Sequence, residues 1–483
     1  MNVLVLNPPT DHEGSIVRDM LYNCWCWGKR IANAESPPVN SLYIATVLKE
    51  SGANVDFVDA DAIYNTRKEF IDSIKKGYDF LALSTSSMTF LEDMNTVRMI
   101  KEKMPDVKTI IFGSHATFYS EKVLSMPEVD FIISGEAENP IRDLISNKNP
   151  EKIKSIGFKE NGKLRMNRER YDVANLDELP FPDWTMLPKN LVYFHPLVER
   201  IPWTTAVSSR GCSGRCNFCI SPSFFGKYRQ RSAENVVDEM KHIAELGYRE
   251  VFYRDETFTV SRKRTLEICK EIIASDLDIS WICNSRVDTI DKERMVAMQK
   301  AGCHTIKFGV ESGNQKILDN IQKGTTLRQA RNVFRIAREI ELKTHAHFML
   351  GCIGETKETL RDTINFAKEI KPTTATFNIF TPFSGTPVYD LVLKELEKKD
   401  ADGTEIDLSI EHAQAYYNEL FTELTNEEIS KAIRQAYREF YLRPSYFFHR
   451  MKMINSVDRL KKDIKSGIAI SSFIFSPTMT KMV

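Results

Sequence analysis

The chain has 483 residues, and its 66 Lys and Arg balance 66 Asp and Glu. Single cores rarely grow far past ~250 residues, so the length excludes a one-domain reading and predicts two or three domains. Hydrophobic and charged fractions of 42% and 27% are those of an ordinary globular protein, and the cancelled charge offers no footprint for a nucleic-acid partner.

The first nine residues, Met1-Asn2-Val3-Leu4-Val5-Leu6-Asn7-Pro8-Pro9, lack a basic leader and a small-residue cleavage site, so they read as a first β-strand and not as a signal peptide. The longest apolar stretch near the C-terminus, residues 467–475, falls short of the ~20 residues that a spanning helix requires. A cytoplasmic placement is expected. Nine cysteines are then expected to be reduced, and clustered ones read as ligands before they read as disulfides.

Apolar, unalternating runs at 3–6, 55–58, 80–84, 109–112 and 131–134 alternate with helical stretches. This pattern predicts a parallel sheet covered on both faces, a doubly wound α/β domain over residues 1–145. The runs end in Asn7-Pro8-Pro9, Ser84-Thr85-Ser86-Ser87, Gly113-Ser114-His115-Ala116-Thr117 and Gly135-Glu136. Small residues at the carboxyl ends of parallel strands let a large flat ligand approach the backbone. Neither a Gly-x-Gly-x-x-Gly fingerprint nor a phosphate loop is present, which disfavours nicotinamide and nucleoside triphosphate.

Pro38-Val39-Asn40-Ser41-Leu42-Tyr43, Ser51-Gly52, Val58-Asp59-Ala60, the Gly113 stretch and Val129-Asp130-Phe131-Ile132-Ile133-Ser134-Gly135-Glu136 together resemble the cobalamin-binding domain of cobalamin-dependent radical S-adenosylmethionine enzymes. The resemblance covers nearly the whole domain and implies that Ser84, Ser86, Gly113, His115, Gly135 and Glu136 surround a corrin. It departs from the pattern at Asp11-His12-Glu13-Gly14, which has the residue types of the Asp-x-His-x-x-Gly cobalt-ligand signature at the wrong spacing. The expectation is that no protein histidine ligates cobalt and that His12 and His115 lie near the corrin edge; imidazole's aptitude for metals keeps the alternative open. Cys24-Trp25-Cys26-Trp27 has poor spacing for one metal centre and is read as packing near corrin or substrate.

Residues 146–199 loosen into turns and then Leu179-Pro180-Phe181-Pro182-Asp183-Trp184 and Tyr193-Phe194-His195-Pro196, which predicts an extended inter-domain linker. Its aromatic residues either pack onto the domains or line a substrate cavity.

Thr205-Ala206-Val207-Ser208-Ser209 reads as a strand running into Arg210-Gly211-Cys212-Ser213-Gly214-Arg215-Cys216-Asn217-Phe218-Cys219. Thiolates are soft ligands suited to iron-sulfur clusters, and a four-iron cluster normally takes four. Only three are local here, so Cys212, Cys216 and Cys219 leave one iron open to a bidentate ligand. A closed zinc site wants four ligands in paired motifs, and no second pair accompanies this loop. Cys269, Cys283, Cys303 and Cys352 stand alone in apolar or helical surroundings, where cysteine behaves as a small hydrophobe. Strand-helix units follow, with strands at 251–253, 281–283, 305–308, 345–350 and 376–380, so six strands form an incomplete relative of the β/α barrel over residues 200–395, its site at the carboxyl rim.

This stretch is similar to the radical S-adenosylmethionine superfamily. Tyr253-Arg254-Asp255-Glu256-Thr257-Phe258 stands where that family contacts the cofactor's methionine amino group; Gly309-Val310-Glu311-Ser312-Gly313 and Leu350-Gly351-Cys352-Ile353-Gly354-Glu355 follow later strands. The resemblance implies a [4Fe-4S] cluster on the three cysteines. It also implies S-adenosylmethionine near Asp255, Glu256, Gly309, Glu311 and Gly354, with Phe218 shielding the cluster or touching adenine. Reductive cleavage of the sulfonium would give a deoxyadenosyl radical. The alternative reading of Asp255, Glu256 and Glu311 is as ordinary strand-end salt-bridge partners.

In the helical C-terminal region, residues 396–483, Thr425 and Glu428 form a capping box, with Ile429, Ile433, Ala436, Tyr437 and Phe440 on one helix face. Tyr441-Leu442-Arg443-Pro444-Ser445-Tyr446 resembles a motif of the branch with hopanoid methylases and the anaerobic magnesium-protoporphyrin cyclase. Residues 468–475, preceded by Lys461, Lys462 and Lys465, either lie on a membrane surface or form a buried tail.

The joined domains predict methyl transfer from methylcobalamin to an unactivated carbon. A small-molecule or lipid substrate and an electron donor such as flavodoxin or ferredoxin are implied. The rivals are a non-methylating radical cyclase, oxidase or rearrangement enzyme with the same cofactors, and a cobalamin or redox sensor with a structural cluster.

Overall fold

The computed structural model describes residues 1–10, 18, 20–22, 32, 34–189, 191–398, 417–454 and 457–475. The chain divides into two compact units, Met1–Arg30 with Glu35–Tyr193, and Ile31–Ala34 with Phe194–Val483. His12, Cys24 and Cys26 lie outside the described residues.

In the first unit, β1 (Asn2–Asn7), β2 (Asn54–Asp59), β3 (Phe80–Ser84), β4 (Lys108–Phe112), β5 (Phe131–Ile133), β6 (Ile156–Glu160) and β7 (Lys163–Met166) form one sheet in the order β2-β1-β3-β4-β5-β6-β7. The first five are mutually parallel. Alternate residues of each strand feed two separate cores. Leu4, Leu6, Leu81 and Leu83 point to one face, and Val3, Val5, Ala82 and Phe112 to the other. Burial on both faces is why these strands read as unbroken apolar runs.

The linker expectation needs correction over residues 156–166. Here β6 and β7 extend the sheet as an antiparallel hairpin. Asn161 (φ 49°) and Gly162 (φ 75°) both adopt the left-handed conformation that a two-residue hairpin loop requires. Gly157 is obligatory, since a Cβ there would meet Met166 Sδ at 2.5 Å and Ile132 Cγ1 at 2.8 Å. The linker aromatics Trp184 and Tyr193 pack within this unit, both buried, with the Tyr193 hydroxyl donating to Asp59 Oδ2 at 2.6 Å.

In the second unit, β8 (Trp203–Ala206), β9 (Ser209–Arg210), β10 (Arg229–Gln230), β11 (Glu250–Tyr253), β12 (Ser280–Ser285), β13 (Cys303–Glu311), β14 (Lys343–Leu350) and β15 (Thr374–Ile379) include six that form an all-parallel sheet, β15-β14-β13-β12-β11-β8. Five helices, Ala233–Glu245, Arg262–Ala274, Lys292–Lys300, Leu327–Glu339 and Lys357–Ile370, cross between these strands. Each is opened by a cap, Ser232, Ser261, Asp291, Thr326 or Thr356, whose side chain accepts a first-turn backbone N–H. This is the expected six-unit partial barrel.

Helix Asn426–Tyr441 carries the predicted capping box and buried face. It also closes the barrel's exposed edge: Tyr441 Oη accepts from Ala375 N (3.0 Å) and donates to Ala375 O (2.5 Å), while Tyr437 Oη accepts from Phe377 N (3.3 Å). Two tyrosine hydroxyls thus occupy backbone groups of edge strand β15 that another strand would otherwise claim. The helix is held from outside by Glu439, which pairs with Arg361 (2.5 Å) and Lys368 (2.6 Å).

Burial opposes the Glu439 carboxylate, but hydrogen bonds from Lys368, Gln435 and Arg361 outweigh it and hold its pKa at about 2, below the ordinary 4.5. The stabilisation is therefore present above pH 4.5 and fades as pH falls towards about 2. Urea melts of Glu439→Gln should show a loss of ~1–2 kcal/mol at neutral pH that shrinks near pH ~3. A loss independent of pH would contradict this account.

Candidate functional site

The cysteine loop is set by what happens at the end of β8. The predicted strand 205–209 splits: after Ala206 the chain leaves the parallel sheet, and Ser209–Arg210 pair antiparallel with Arg229–Gln230, closing residues 211–228 into a loop with a ribbon at its base. The cause is Asp255. Its fully buried carboxylate accepts from Ser208 N (2.7 Å), Ser208 Oγ (2.5 Å) and Ser209 Oγ (2.6 Å), drawing the segment away from β8. From the other side, Arg264 donates to Ser208 O (2.8 Å) and Arg231 to Val207 O (3.1 Å), with Arg231 itself paired to the buried Glu239 (2.5 Å).

Within the loop, Gly214 N donates to Cys212 Sγ at 3.3 Å and Thr257 Oγ1 lies 3.3 Å from the same sulfur. Arg286 Nη1 lies 3.6 Å from Cys216 Sγ and is aimed by Asp288 and by Lys323 O (2.8 Å). A side chain at Gly214 would meet Arg286 at 2.5 Å, so that glycine admits the guanidinium. Among the described residues no three or more His, Cys, Asp or Glu converge on a single metal ion. The donors fit a polynuclear thiolate cluster, because each cysteine then serves a different iron and N–H groups and a cation face the sulfurs. Cys269, Cys283, Cys303 and Cys352 are buried elsewhere.

The rim residues divide by role. Glu256 is half-buried, and burial pushes its carboxyl up to about 8. Glu311, at φ 68°, sits after a register shift in β13 and pairs with buried Lys323 at 2.6 Å. Burial works against the Lys323 ammonium, but Glu311 outweighs it and raises its pKa. A Cβ at Gly309 would meet Glu311 Oε1 at 2.3 Å, so this glycine gives the ion pair its space. Gly354 (φ 74°) donates its N–H to Phe421 O at 2.8 Å, and Glu355 accepts from the backbone of Gly351 and of Cys352 (2.9 Å). Phe218 packs against Phe380, ring centroids 5.7 Å apart, in an apolar cluster with Cys352. Asp255 therefore positions the loop, and Glu311 is engaged by Lys323. Sequence reasoning missed Arg286 and Lys323; the available signal was the place of Arg286 just after β12.

In the first unit, the strand order reverses between β1 and β3, which places the crevice at Asn7 and Ser84. Asn40 donates to Ser84 Oγ (3.0 Å), and Ser86 Oγ lies 3.3 Å from Thr89 Oγ1. Beneath them, fully buried Asp93 accepts from Arg18 (2.6 Å), Thr85 (2.8 Å) and Thr89 (2.6 Å). Gly113 (φ 97°) allows the ends of β3 and β4 to meet, since a Cβ would lie 2.4 Å from Thr85 O. His115 is buried between Phe90 (centroids 3.9 Å) and Tyr119 (4.7 Å), its Nδ1 2.9 Å from Ser87 Oγ; burial drives its pKa down to about 3, so the ring is neutral. Gly135 N donates to Thr117 Oγ1 (2.9 Å), and Glu136 accepts from Val173 N (2.7 Å). A crevice lined by hydroxyls and amides suits the neutral amides that fringe a corrin.

The family model described as the radical SAM superfamily matches residues 207–367, and the B12-binding domain model matches residues 32–145. The chain is 31% identical over 457 residues to a Pyrococcus horikoshii protein named uncharacterized methyltransferase PH0819, covering 92% of this chain and 93% of that one. The chain belongs to the cobalamin-dependent radical S-adenosylmethionine family. It is also 28% identical over 429 residues to the anaerobic magnesium-protoporphyrin IX monomethyl ester cyclase of Cereibacter sphaeroides, over 86% of this chain and 68% of that one. In fold, this radical S-adenosylmethionine enzyme matches the solved structure of OxsB with aqua-cobalamin and S-adenosylmethionine bound. The TM-score is 0.65 at 16% identity, over 97% of this chain and 71% of that one. Its cofactors are a [4Fe-4S] cluster, S-adenosylmethionine and cobalamin.

Two variants test these placements. Arg286→Gln should move the cluster's reduction midpoint to more negative potential in potentiometry followed by visible absorbance, because a cation beside a thiolate favours the added electron; an unmoved midpoint contradicts the contact. Gly113→Ala should cost ~2–3 kcal/mol in unfolding free energy and reduce cobalamin retained after gel filtration. Unchanged stability and retention would remove Gly113 from the crevice.

Proposed function

We propose that this enzyme transfers a methyl group to an unactivated carbon of a small-molecule or lipid substrate. The full-length similarity to a protein named a methyltransferase is the observation that carries the reading. When bound, the cluster with S-adenosylmethionine supplies a deoxyadenosyl radical and the cobalamin supplies the methyl group. The chain's own task is to hold, orient and exclude water. Cys212, Cys216 and Cys219 hold the cluster, Arg286 faces its sulfur, and Asp255 fixes the loop. The Lys323–Glu311 pair supplies opposite charges at the rim for the carboxylate and ammonium of S-adenosylmethionine, and Glu256, its carboxyl raised by burial, adds a hydrogen-bonding group beside them. Ser84, Ser86, Gly113, His115, Gly135 and Glu136 shape the corrin crevice and its surroundings.

The barrel's inner face supports a substrate with a polar part. The outward residues Phe308 and Phe348 meet aromatic neighbours, so strand alternation turns Lys307, His345 and His347 inward. His345 Nδ1 lies 2.7 Å from Thr374 Oγ1, and His347 Nδ1 lies 2.7 Å from Thr376 Oγ1. An electron donor of the flavodoxin or ferredoxin type supplies the reducing electron. The cyclase similarity favours one second reading, radical ring closure without methylation.

Anaerobic turnover with methyl-labelled S-adenosylmethionine and candidate substrates separates the two. Methylation gives deoxyadenosine, S-adenosylhomocysteine and a product heavier by one labelled methyl. Deoxyadenosine with an unlabelled product supports ring closure, and absence of deoxyadenosine contradicts both.

A further inference from the structure

Sixteen large hydrophobic side chains are exposed among the described residues, and eight of them fall between residues 442 and 475. Helix Val457–Phe475 is the chief contributor. One side of it is packed, with Ala469, Phe473 and Ile474 buried and the Phe473 ring edge-on to Tyr437 at 5.2 Å. The opposite side of a docked helix is normally polar. Here it carries Leu460, Ile464, Ile468 and Phe475, at spacings of four, four and seven, and the last two are 66% and 68% exposed. These spacings fall on one helical face. The preceding helix, Pro444–Lys452, adds Phe447, Phe448 and Met451, each more than half exposed. Asp463 ties the two helices together by pairing with Arg450, and pairs at 3.3 Å with Arg459 one turn earlier on its own helix.

The charge around this apolar surface is predominantly positive. Residues 442–475 contain seven Lys and Arg against two Asp, in a chain whose total formal charge is zero. Lys461 and Lys465 are exposed beside the apolar stripe, Lys465 with its Nζ 4.0 Å from the centroid of the Phe194 ring, and residues 466–475 carry no charge at all. A second copy of the same face would bring like charges together. Nucleic acid would leave the aromatic and aliphatic side chains without apolar cover. No helix among the described residues is long and apolar enough to cross a membrane. A wide apolar stripe flanked by lysines, on a helix too short in apolar length to span, has the composition of a surface-bound membrane helix.

We propose that this helix pair docks on an anionic lipid bilayer, with Phe447, Phe448, Ile464 and Ile468 entering the interface and Lys461 and Lys465 meeting lipid phosphates. The inference rests on the helix pair alone and stands whether the enzyme methylates or closes a ring.

The test is sedimentation of the full-length holoenzyme with vesicles of phosphatidylcholine alone and of phosphatidylcholine mixed with phosphatidylglycerol. The bound fraction should be ~tenfold higher on the anionic vesicles and fall with added salt. Ile464→Glu/Ile468→Glu should reduce it to the level of neutral vesicles, with the rate of deoxyadenosine formation unchanged. Lys461→Glu/Lys465→Glu, which leaves the apolar stripe intact, should do the same and guards against loss of binding through misfolding. Equal binding to both vesicle types, or wild-type binding by both variants, overturns the proposal. So does self-association in the absence of lipid that either variant abolishes, because the face then belongs to a second copy.

Discussion

One buried carboxylate decides where the cysteine loop leaves the sheet. Asp255, at the end of β11, takes one amide and two hydroxyl hydrogen bonds from Ser208 and Ser209, so the chain leaving β8 cannot continue in the sheet. A group buried this deeply must be satisfied locally, because an unpaired polar partner costs ~1–3 kcal/mol. The bend it imposes lets Ser209–Arg210 pair with Arg229–Gln230 and delivers the three cysteines on a closed loop. Arg231 and Arg264 brace the same bend through its carbonyls. The aspartate sets the direction of the loop that carries the three cysteines.

Both units build their sites from the same rule, that the carboxyl ends of parallel strands are where backbone and side chains are free to serve a ligand. They apply it with different chemistry. The first unit offers hydroxyls, amides and a neutral imidazole at the ends of β1, β3 and β4, over the buried pair Arg18–Asp93. The second offers thiols and paired charges, with Arg286 beside Cys216 and Lys323 beside Glu311. The strain stored in Glu311, a non-glycine residue at positive φ, is tolerated because Lys323 and the open space at Gly309 fix its side chain.

The strands and the cysteine motif were legible in the sequence because both are local signals. Burial on two faces writes an apolar run, and ligand spacing writes itself. The hairpin at 156–166 was hidden because Gly157 and the charged Lys159, Glu160 and Lys163 break the apolar pattern, although Asn161-Gly162 was a turn signal available to read. The side-chain assignments at the rim were less legible. A carboxylate at a strand end is visible in sequence, but its direction is not: Asp255 turns to Ser208 and Ser209, 47 and 46 residues earlier, and Glu311 to Lys323, twelve residues later. Arg286 is 70 residues from Cys216, so only tertiary structure brings it to the sulfur. Tyr437 read as part of a buried helix face and Tyr441 as the start of a family-like motif, whereas the hydroxyls of both also cap an edge strand.

The central claim is that Cys212, Cys216 and Cys219 hold a four-iron cluster with one iron left for S-adenosylmethionine. Electron paramagnetic resonance of the reduced, reconstituted protein, with and without S-adenosylmethionine labelled with nitrogen-15 at its amino group, tests it most directly. The account predicts a cluster signal that changes on addition and acquires coupling to the labelled nitrogen, and loss of that signal in Cys216→Ala. A cluster signal indifferent to S-adenosylmethionine, or one that survives the loss of Cys216, would contradict it.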